Sequence, residues 1–312
     1  MMKKIDLITG FLGSGKTTFL IKYARHLIKQ GLRIGILEYD YGAVNVDMLL
    51  LNKLRGANCE IEMVAAACDE DCLRRRFTTK LIAMAMSGYD RVIVEPSGVF
   101  DMDMFYDTLR DDPLENMYEI GNVITVVNAK LIDKLSDEED YILASQAACA
   151  GTIVLSRTQL ATDEEIANTK KHIREAAEKI KCKKLYENYL EKNWEELDDL
   201  DYNTLMNSGY HIGDYVKVTA GRDLAFSSKC YLDLEDNLEE LKSKITTLFS
   251  SKEYGNIIRI KGFVCDQGGG YQINASQYEL LAEPTAIGQG VLIVIGTELN
   301  DAKIDGILYT NN

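Results

Sequence analysis

The first 29 residues combine a short apolar segment, a glycine-rich loop and an amphipathic segment. Residues 4–9 are mostly apolar, as in a buried parallel strand, and residues 17–29 repeat apolar side chains at helical spacing. Between them, residues 10–17 read Gly-Phe-Leu-Gly-Ser-Gly-Lys-Thr and fit the P-loop pattern Gly-x-x-x-x-Gly-Lys-[Ser/Thr]. A strand, such a loop and a helix, in this order, form a binding site for phosphate groups. The sequence therefore predicts a P-loop nucleotide-binding domain.

Each position of this loop has an expected role at a bound nucleotide. Glycines allow backbone conformations in which successive N–H groups turn towards one phosphate. Lys16 supplies a positive charge to the β- and γ-phosphates, and the Thr17 hydroxyl can ligate Mg²⁺ at the start of the helix. The residues expected to bind the phosphates are Gly13, Ser14, Gly15, Lys16, Thr17 and Thr18.

Strands and helices alternate after the loop. Predicted strands lie at 4–9, 32–38, 89–94, 122–128 and 151–155, and predicted helices at 17–29, 137–148 and 162–180. The pair Thr162 and Glu165 fits a capping box, which predicts the start of the last of these helices. Such alternation is typical of α/β proteins with a doubly wound, mostly parallel sheet. We expect this domain to span residues 1–210.

The C-terminal part of the chain predicts a smaller α+β domain at residues 222–312. Its predicted elements are a strand near 230–234, a helix at 237–249 and strands at 257–265 and 291–297. The glycines of residues 268–270 have no lysine or helix start after them, so they indicate a hairpin connection. Residues 194–201 are predicted to form a solvated acidic helix that closes the first domain.

Acidic residues follow two of the predicted strands. In open α/β sheets, ligands bind at the carboxyl ends of the strands. Asp40 and Asp47 come after the second predicted strand, and Glu95 ends the third. We expect Thr17, Asp40 and Glu95 to serve Mg²⁺, and Lys16, Glu95 and Asp47 to act in hydrolysis. Gly98, just after Glu95, is expected to donate its N–H to the γ-phosphate.

Composition excludes several classes of partner. The formal net charge of −14 argues against a nucleic-acid or anionic-membrane surface, because such surfaces concentrate lysine and arginine. No apolar run approaches the roughly 20 residues that cross a bilayer, and no secretory signal precedes the first strand. Seven scattered cysteines suit reduced thiols better than a disulfide framework. We expect a cytoplasmic protein.

Taken together, these motifs resemble the CobW/HypB/UreG group of metal-handling P-loop GTPases, and its CobW-like branch most. The resemblance rests on residues 10–18, on Glu95-Pro96-Ser97-Gly98, on Gln146 with the alanine-rich run into 151–155, and on 259–264 and 291–297. It implies a GTPase that couples hydrolysis to delivery or insertion of a metal ion or metal cofactor into a client metalloprotein or corrinoid protein. Because no arginine finger is evident, we expect slow intrinsic turnover that a homodimer partner or the client accelerates.

The base-recognition motif departs from that family. Where a member would show Asn-Lys-x-Asp, this chain has Ser156-Arg157-Thr158-Gln159. Gln159 can accept hydrogen bonds only through its amide oxygen, whereas a carboxylate accepts two from guanine. Arg157 and Gln159 remain the residues assigned to the nucleotide, but we expect weakened guanine preference, with GTP or ATP as substrate.

The cysteine motif also departs from the family. CobW-like proteins carry Cys-x-Cys-Cys, and this chain has Cys68 and Cys72 with three residues between them. On a helix this spacing puts both thiols on one face, where they could hold Zn²⁺ or Co²⁺ with a carboxylate from residues 69–71. The other interpretation, two helix cysteines beside an acidic turn, stays open.

Two other functions stay open at this point. One is a small-molecule kinase, which needs a second substrate pocket and a base that the sequence does not identify. The other is a nucleotide-gated activator or assembly protein for a metalloenzyme or corrinoid protein that binds no metal itself. The altered spacing of Cys68 and Cys72 favours this second alternative.

Overall fold

A computed structural model gives the conformation of most of the chain. The described residues are 2–39, 46–64, 70–100, 102–131, 135–183, 185, 187–216, 227–232, 234, 236–266, 269–277, 279–285 and 290–309. The chain divides into two units, one of Met1–Asp40 and Leu50–Thr219, the other of Tyr41–Leu49 and Ala220–Asn312.

The first unit is built on a parallel sheet with seven strands among the described residues. They are β1 Lys3–Thr9, β2 Ile34–Tyr39, β3 Cys59–Val64, β4 Arg91–Pro96, β5 Tyr118–Asn128, β6 Thr152–Ser156 and β7 Tyr189–Leu190. Their order is β3-β2-β4-β1-β5-β6-β7, and every neighbouring pair is parallel. The central strands are apolar along their length because helices cover both faces of such a sheet. The predicted doubly wound α/β fold is confirmed.

Helices connect these strands. They are α1 Lys16–Lys29, α2 Val46–Leu51, α3 Glu70–Met86, α4 Met102–Arg110, α5 Asp137–Cys149, α6 Asp163–Lys179 and α7 Asp199–Leu205. The predicted capping box is present, since the Thr162 hydroxyl accepts from the Glu165 N–H and the Glu165 carboxylate accepts from the Thr162 N–H. In the described part of the chain, no helix is long and apolar enough to cross a membrane.

Two strands of this sheet, β3 and β7, are absent from the sequence-based prediction. β3 forms one edge of the sheet, next to β2, and the predicted third strand at 89–94 is in fact β4. Glu60 alternates with buried neighbours in β3, as in an edge strand. The prediction followed continuous apolar runs, and an edge strand does not need one.

A buried polar cluster holds together the elements that carry the P-loop. The Asp6 carboxylate on β1 accepts from Arg91 on β4 at 2.6 Å and from the Tyr23 hydroxyl on α1 at 2.8 Å. Asn122 on β5 donates to the same carboxylate at 3.1 Å. Burial, then the charge of Asp6, raises the pKa of Tyr23 well above its usual value, so its hydroxyl stays protonated and can donate. These bonds fix β1, β4, β5 and α1 relative to one another.

The second unit contains an antiparallel sheet with helices packed against it. In the described residues its strands are β8 Ser227–Leu232, β9 Asn256–Asp266, β10 Gly269–Ser276, β11 Leu280–Thr285 and β12 Val291–Thr297, in the order β11-β10-β9-β12-β8. Helices α8 Leu238–Ser250 and α9 Asp301–Leu308 contribute Leu241, Ile245 and Ile304 to its core. Asp266 pairs with Gly269, which confirms the predicted hairpin connection.

Candidate nucleotide-binding site

The loop between β1 and α1 has the backbone that a phosphate cradle requires. Gly10, Gly13 and Gly15 all have positive φ angles, of 147°, 80° and 98°. A Cβ at Gly10 would lie 2.2 Å from the Val126 carbonyl oxygen, so only glycine fits there. Backbone N–H groups in such a loop, together with the N-terminus of the following helix, can bind an anion.

Lys16 lies within the loop. Its Nζ donates to the Gly10 carbonyl at 3.1 Å, and its side chain is buried. The ammonium group therefore lies on the inner side of the loop, at the N-terminus of α1. Its positive charge and the helix dipole both favour a bound anion there.

The hydroxyl of Thr17 contacts a buried carboxylate. Thr17 Oγ1 donates to Glu95 Oε1 at 2.6 Å, and Glu95 is only 1% exposed. The contact exists because Glu95 lies near the C-terminal end of β4, and β4 is hydrogen-bonded to β1, which leads into the loop. A hydroxyl and a carboxylate are oxygen ligands of the kind that Mg²⁺ prefers, so the residues present fit this ion.

A second buried carboxylate, Glu38, lies next to Glu95. Glu38 on β2 is in register with Glu95 on β4 and is 2% exposed. In-register residues of neighbouring parallel strands point to the same face, about 4.8 Å apart. Two adjacent carboxylates favour a bound cation. Glu38 is not among the predicted site residues, although it lies at the tip of an apolar strand as Glu95 does.

The segment after β4 packs against the P-loop. A Cβ at Gly98 would lie 2.6 Å from the Leu12 nitrogen and 2.9 Å from its Cα. Gln146 on α5, which is fully buried, donates from Nε2 to the Gly98 carbonyl at 3.3 Å. The Thr125 hydroxyl donates to the backbone carbonyl of Gln146 at 3.0 Å. These contacts place the Gly98 backbone directly beside the loop.

The end of β6 approaches the loop from the other side. Arg157, with φ of 57°, donates from Nη1 to the Gly13 carbonyl at 3.4 Å. It precedes a 3₁₀ turn, Thr158–Leu160, in which Gln159 is exposed. Of the two residues assigned to the base, the structure brings Arg157 into contact with the P-loop.

Trp194 lies against the loop and was not assigned to the site from the sequence. Its Nε1 donates to the Leu155 carbonyl on β6 at 3.0 Å, and its ring is centred 5.4 Å from that of Phe19. Its Cη2 lies 3.3 Å from the position of a Cβ on Gly15. The prediction of a solvated helix at 194–201 is therefore wrong for Trp194, because this apolar side chain docks between β6 and α1.

Several predicted site residues cannot be placed. Asp40 and Cys68 lie outside the described residues, and Asp47 belongs to α2 with its side chain outside them. Cys72 is half-buried on α3. Among the described side chains, no three of the His, Cys, Asp or Glu type come together in a way that could hold a metal ion.

Comparison with known proteins finds relatives of this domain. The chain is 24% identical over 202 residues to zinc-regulated GTPase metalloprotein activator 1 of Schizosaccharomyces pombe, covering 63% of this chain and 47% of the relative. It is 28% identical over 167 residues to the zinc chaperone YjiA of Escherichia coli, covering 52% and 51%. The chain thus matches about half the length of these curated relatives.

Solved structures and a family model complete the comparison. The crystal structure of Zn(II)-bound YjiA GTPase from E. coli matches 99% of this chain and 100% of that one, with 18% identity and a TM-score of 0.41. The hydrogenase maturation factor HypB from Archaeoglobus fulgidus matches 62% and 82%, with 18% identity and a TM-score of 0.38. The CobW/HypB/UreG nucleotide-binding domain model matches residues 4–184, more than half of the 312 residues, and the chain therefore belongs to this family.

Proposed function

We propose that this protein hydrolyses a nucleoside triphosphate and uses the nucleotide cycle to deliver or insert a metal ion, or a metal-containing cofactor, into a client protein. The observation that carries the proposal is the 2.6 Å hydrogen bond from Thr17 to the buried carboxylate of Glu95 beside the P-loop. Family membership at residues 4–184 supports the same activity.

The residues of the loop bind and polarise the triphosphate. N–H groups from Gly13 to Thr18 hold the β- and γ-phosphates, and Lys16 neutralises their charge. Mg²⁺, held by Thr17 and Glu95 with Asp40 as a third candidate, neutralises negative charge on the phosphate oxygens when bound.

Residues that face the γ-phosphate prepare the attack of water. Glu95, with Asp47 as a second candidate, orients the water, and the N–H of Gly98 donates to a γ-phosphate oxygen. The side-chain amide of Gln146 holds Gly98 in place by donating a hydrogen bond to the Gly98 carbonyl. Because the sequence motifs include no evident arginine finger, we expect intrinsic turnover on the order of 10⁻³ s⁻¹, which a client or a second copy of the chain accelerates.

The metal half of the proposal rests on the family and on two cysteines. Two relatives are named as a zinc-regulated metalloprotein activator and as a zinc chaperone. In this chain Cys68 and Cys72 are the candidate ligands for Zn²⁺ or Co²⁺. Two thiols leave a tetrahedral site incomplete, so a carboxylate of residues 69–71 or a client side chain has to supply the remaining ligands.

We assign nucleotide binding to a domain at residues 1–210 and client contact to a CobW-like C-terminal domain at 222–312. We assign the transmission of the nucleotide state to the smaller domain to the segments 39–47 and 95–103. The client is a metalloprotein or corrinoid protein in the cytoplasm. A net charge of −14 supports a protein client over nucleic acid or membrane.

A second candidate function is a nucleotide-gated activator that binds no metal itself. The observation that favours it is the spacing of Cys68 and Cys72, which departs from the Cys-x-Cys-Cys of CobW-like proteins. In this case the nucleotide site works as above, but the client alone holds the metal.

One set of assays separates these functions. Phosphate release from GTP and ATP is measured for the wild type and for Lys16→Ala, which should lose activity. Phosphate found on an acceptor instead of in water would identify a kinase.

Zn²⁺ and Co²⁺ are then titrated into the wild type, a Cys68→Ser/Cys72→Ser variant and a Cys230→Ser/Cys265→Ser control. Loss of metal binding in the first variant alone supports the chaperone. A first variant that binds no less metal than the wild type and still supports the client favours the activator.

A further inference from the structure

The position of the β- and γ-phosphates fixes the direction in which the nucleoside must extend. Thr17 and Glu95 lie on the side of β1 where β4 and β2 follow, and they take the end of the nucleotide that binds Mg²⁺. Because a nucleotide is a linear chain of phosphates, ribose and base, its nucleoside extends towards the other side, where β5, β6 and β7 follow. β6 is two strands from β1, about 10 Å away.

Trp194 lies on that nucleoside side. It follows β7 by four residues, donates to Leu155 on β6, and places its ring edge against Gly15 at the start of α1. Arg157, from the end of β6, reaches the same loop at Gly13. The half-buried indole therefore lies where the phosphate loop and the end of β6 meet.

The segment that carries Trp194 is docked along α1. Lys22 of α1 forms a 2.8 Å ion pair with Glu195, and Lys29 forms a 3.2 Å ion pair with Asp199. The rings of His26 and Tyr202 stack with their centres 4.6 Å apart. Contacts on several turns of one helix hold the indole in a fixed place before any ligand binds.

We propose that Trp194 forms an aromatic wall of the nucleoside pocket and contacts the purine base. The inference rests on the proposed nucleotide-binding function and names a residue that binds the base. Every base has a π-face, so contact with an aromatic ring is tolerant of base identity. Such a wall fits a chain in which Gln159 replaces the carboxylate that recognises guanine. It predicts that GTP and ATP bind with similar affinity.

The wild-type protein allows a direct test, because Trp194 is the single tryptophan of the chain. Its fluorescence is followed while the full chain is titrated with GTP, ATP or inorganic tripolyphosphate, each with Mg²⁺. Calorimetry measures the three affinities in parallel. We expect both nucleotides to change the emission and tripolyphosphate, which has no base, to bind without changing it.

Variants measure the contribution of the ring. Trp194→Leu should weaken GTP and ATP binding by about 10- to 100-fold and leave tripolyphosphate binding unchanged. Trp194→Phe, which keeps an aromatic ring, should lose less. Tyr210→Leu, which removes a partly exposed aromatic that packs on Tyr106, serves as the control and should bind all three ligands as the wild type does.

The outcomes distinguish failure of this inference from failure of the proposed function. Nucleotides that bind without changing the wild-type emission, or bind Trp194→Leu as tightly as the wild type, would overturn the role of Trp194 alone. A wild type that binds neither nucleotide nor tripolyphosphate would overturn both. If Trp194→Leu loses tripolyphosphate binding as well, the variant does not test the base contact. The change in wild-type emission on nucleotide binding then decides whether Trp194 contacts the base.

Discussion

Thr17 and Glu95 are joined by a 2.6 Å hydrogen bond although they lie 78 residues apart in the chain. The bond links the first turn of α1 to the C-terminal end of β4, and β4 pairs directly with β1. The pairing of β4 with β1 therefore brings the two halves of the candidate phosphate and metal site into contact. A preorganised site of this kind loses little free energy to reorganisation when a nucleotide binds.

Glu95→Gln should slow hydrolysis by about 100-fold while nucleotide binding is retained. The amide keeps the size and position of the side chain but removes the negative charge that holds the cation and orients water. Phosphate release under single-turnover conditions measures the effect. Glu62→Gln, on the same sheet and paired with Lys80 at the surface, is the matched control. Unchanged turnover in Glu95→Gln would contradict the assigned role.

Gly98→Ala should weaken nucleotide binding by at least about 10-fold. The new methyl group would lie 2.6 Å from the Leu12 backbone nitrogen, so the P-loop or the segment after β4 must move. Gly56→Ala adds the same group where nothing lies within 4 Å and should have no effect. Calorimetric titration with GTP compares the two variants, and equal affinities would show that the close approach at Gly98 is unimportant for binding.

Gln159→Asp should increase the preference for GTP over ATP by at least about 10-fold. The carboxylate supplies the second acceptor that guanine requires, and adenine offers no matching pair of donors. Affinities for both nucleotides are measured in the wild type, in Gln159→Asp and in Gln159→Asn, which keeps the amide. If the ratio stays constant in all three, residues 156–159 do not read the base.

Two buried thiols should resist alkylation in the native protein. Burial raises the pKa of Cys59 and of Cys149 to about 11 each. At pH 8 their thiolate fraction is then about one in a thousand, which leaves little nucleophile. Because the folded-state values exceed the usual one, the linked stability is complete below about pH 9 and declines as the pH rises towards 11.

Mass spectrometry after treatment with iodoacetamide checks this expectation at each cysteine. Protein unfolded in urea, in which all seven thiols react, provides the control. Fast labelling of Cys59 or Cys149 at pH 8 in the folded state would show that these thiols are accessible or ionised.

Much of the parallel sheet was predictable because its central strands are buried on both faces. β1, β4, β5 and β6 contain continuous apolar runs that stand out against the amphipathic helices. The edge strand β3, and the pair β10 and β11 in the antiparallel sheet, lack such runs. Their pairing depends on neighbouring strands, which local sequence does not reveal.

The candidate site also contains residues that the local sequence indicates and residues that it does not. Lys16, Thr17 and Glu95 could be predicted as site residues because their spacing and their position after apolar segments are local signals. Trp194 was missed because its place depends on β6 and α1, which are distant in sequence. Glu38 gave the same local signal as Glu95, and only its register with Glu95 singles it out.

In the proposed function, nucleotide state and metal binding are coupled in this chain. The most direct test is the affinity of the full chain for Zn²⁺, measured by competition with a chromophoric chelator, in the presence of Mg²⁺ with either GDP or a non-hydrolysable GTP analogue. Coupling is reciprocal, so a metal that favours the GTP state must also bind more tightly in it.

We predict at least about fivefold tighter Zn²⁺ binding with the GTP analogue, lost in Cys68→Ser/Cys72→Ser and kept in Cys230→Ser/Cys265→Ser. Equal Zn²⁺ affinity in the two nucleotide states, or coupling that survives removal of Cys68 and Cys72, would contradict the account.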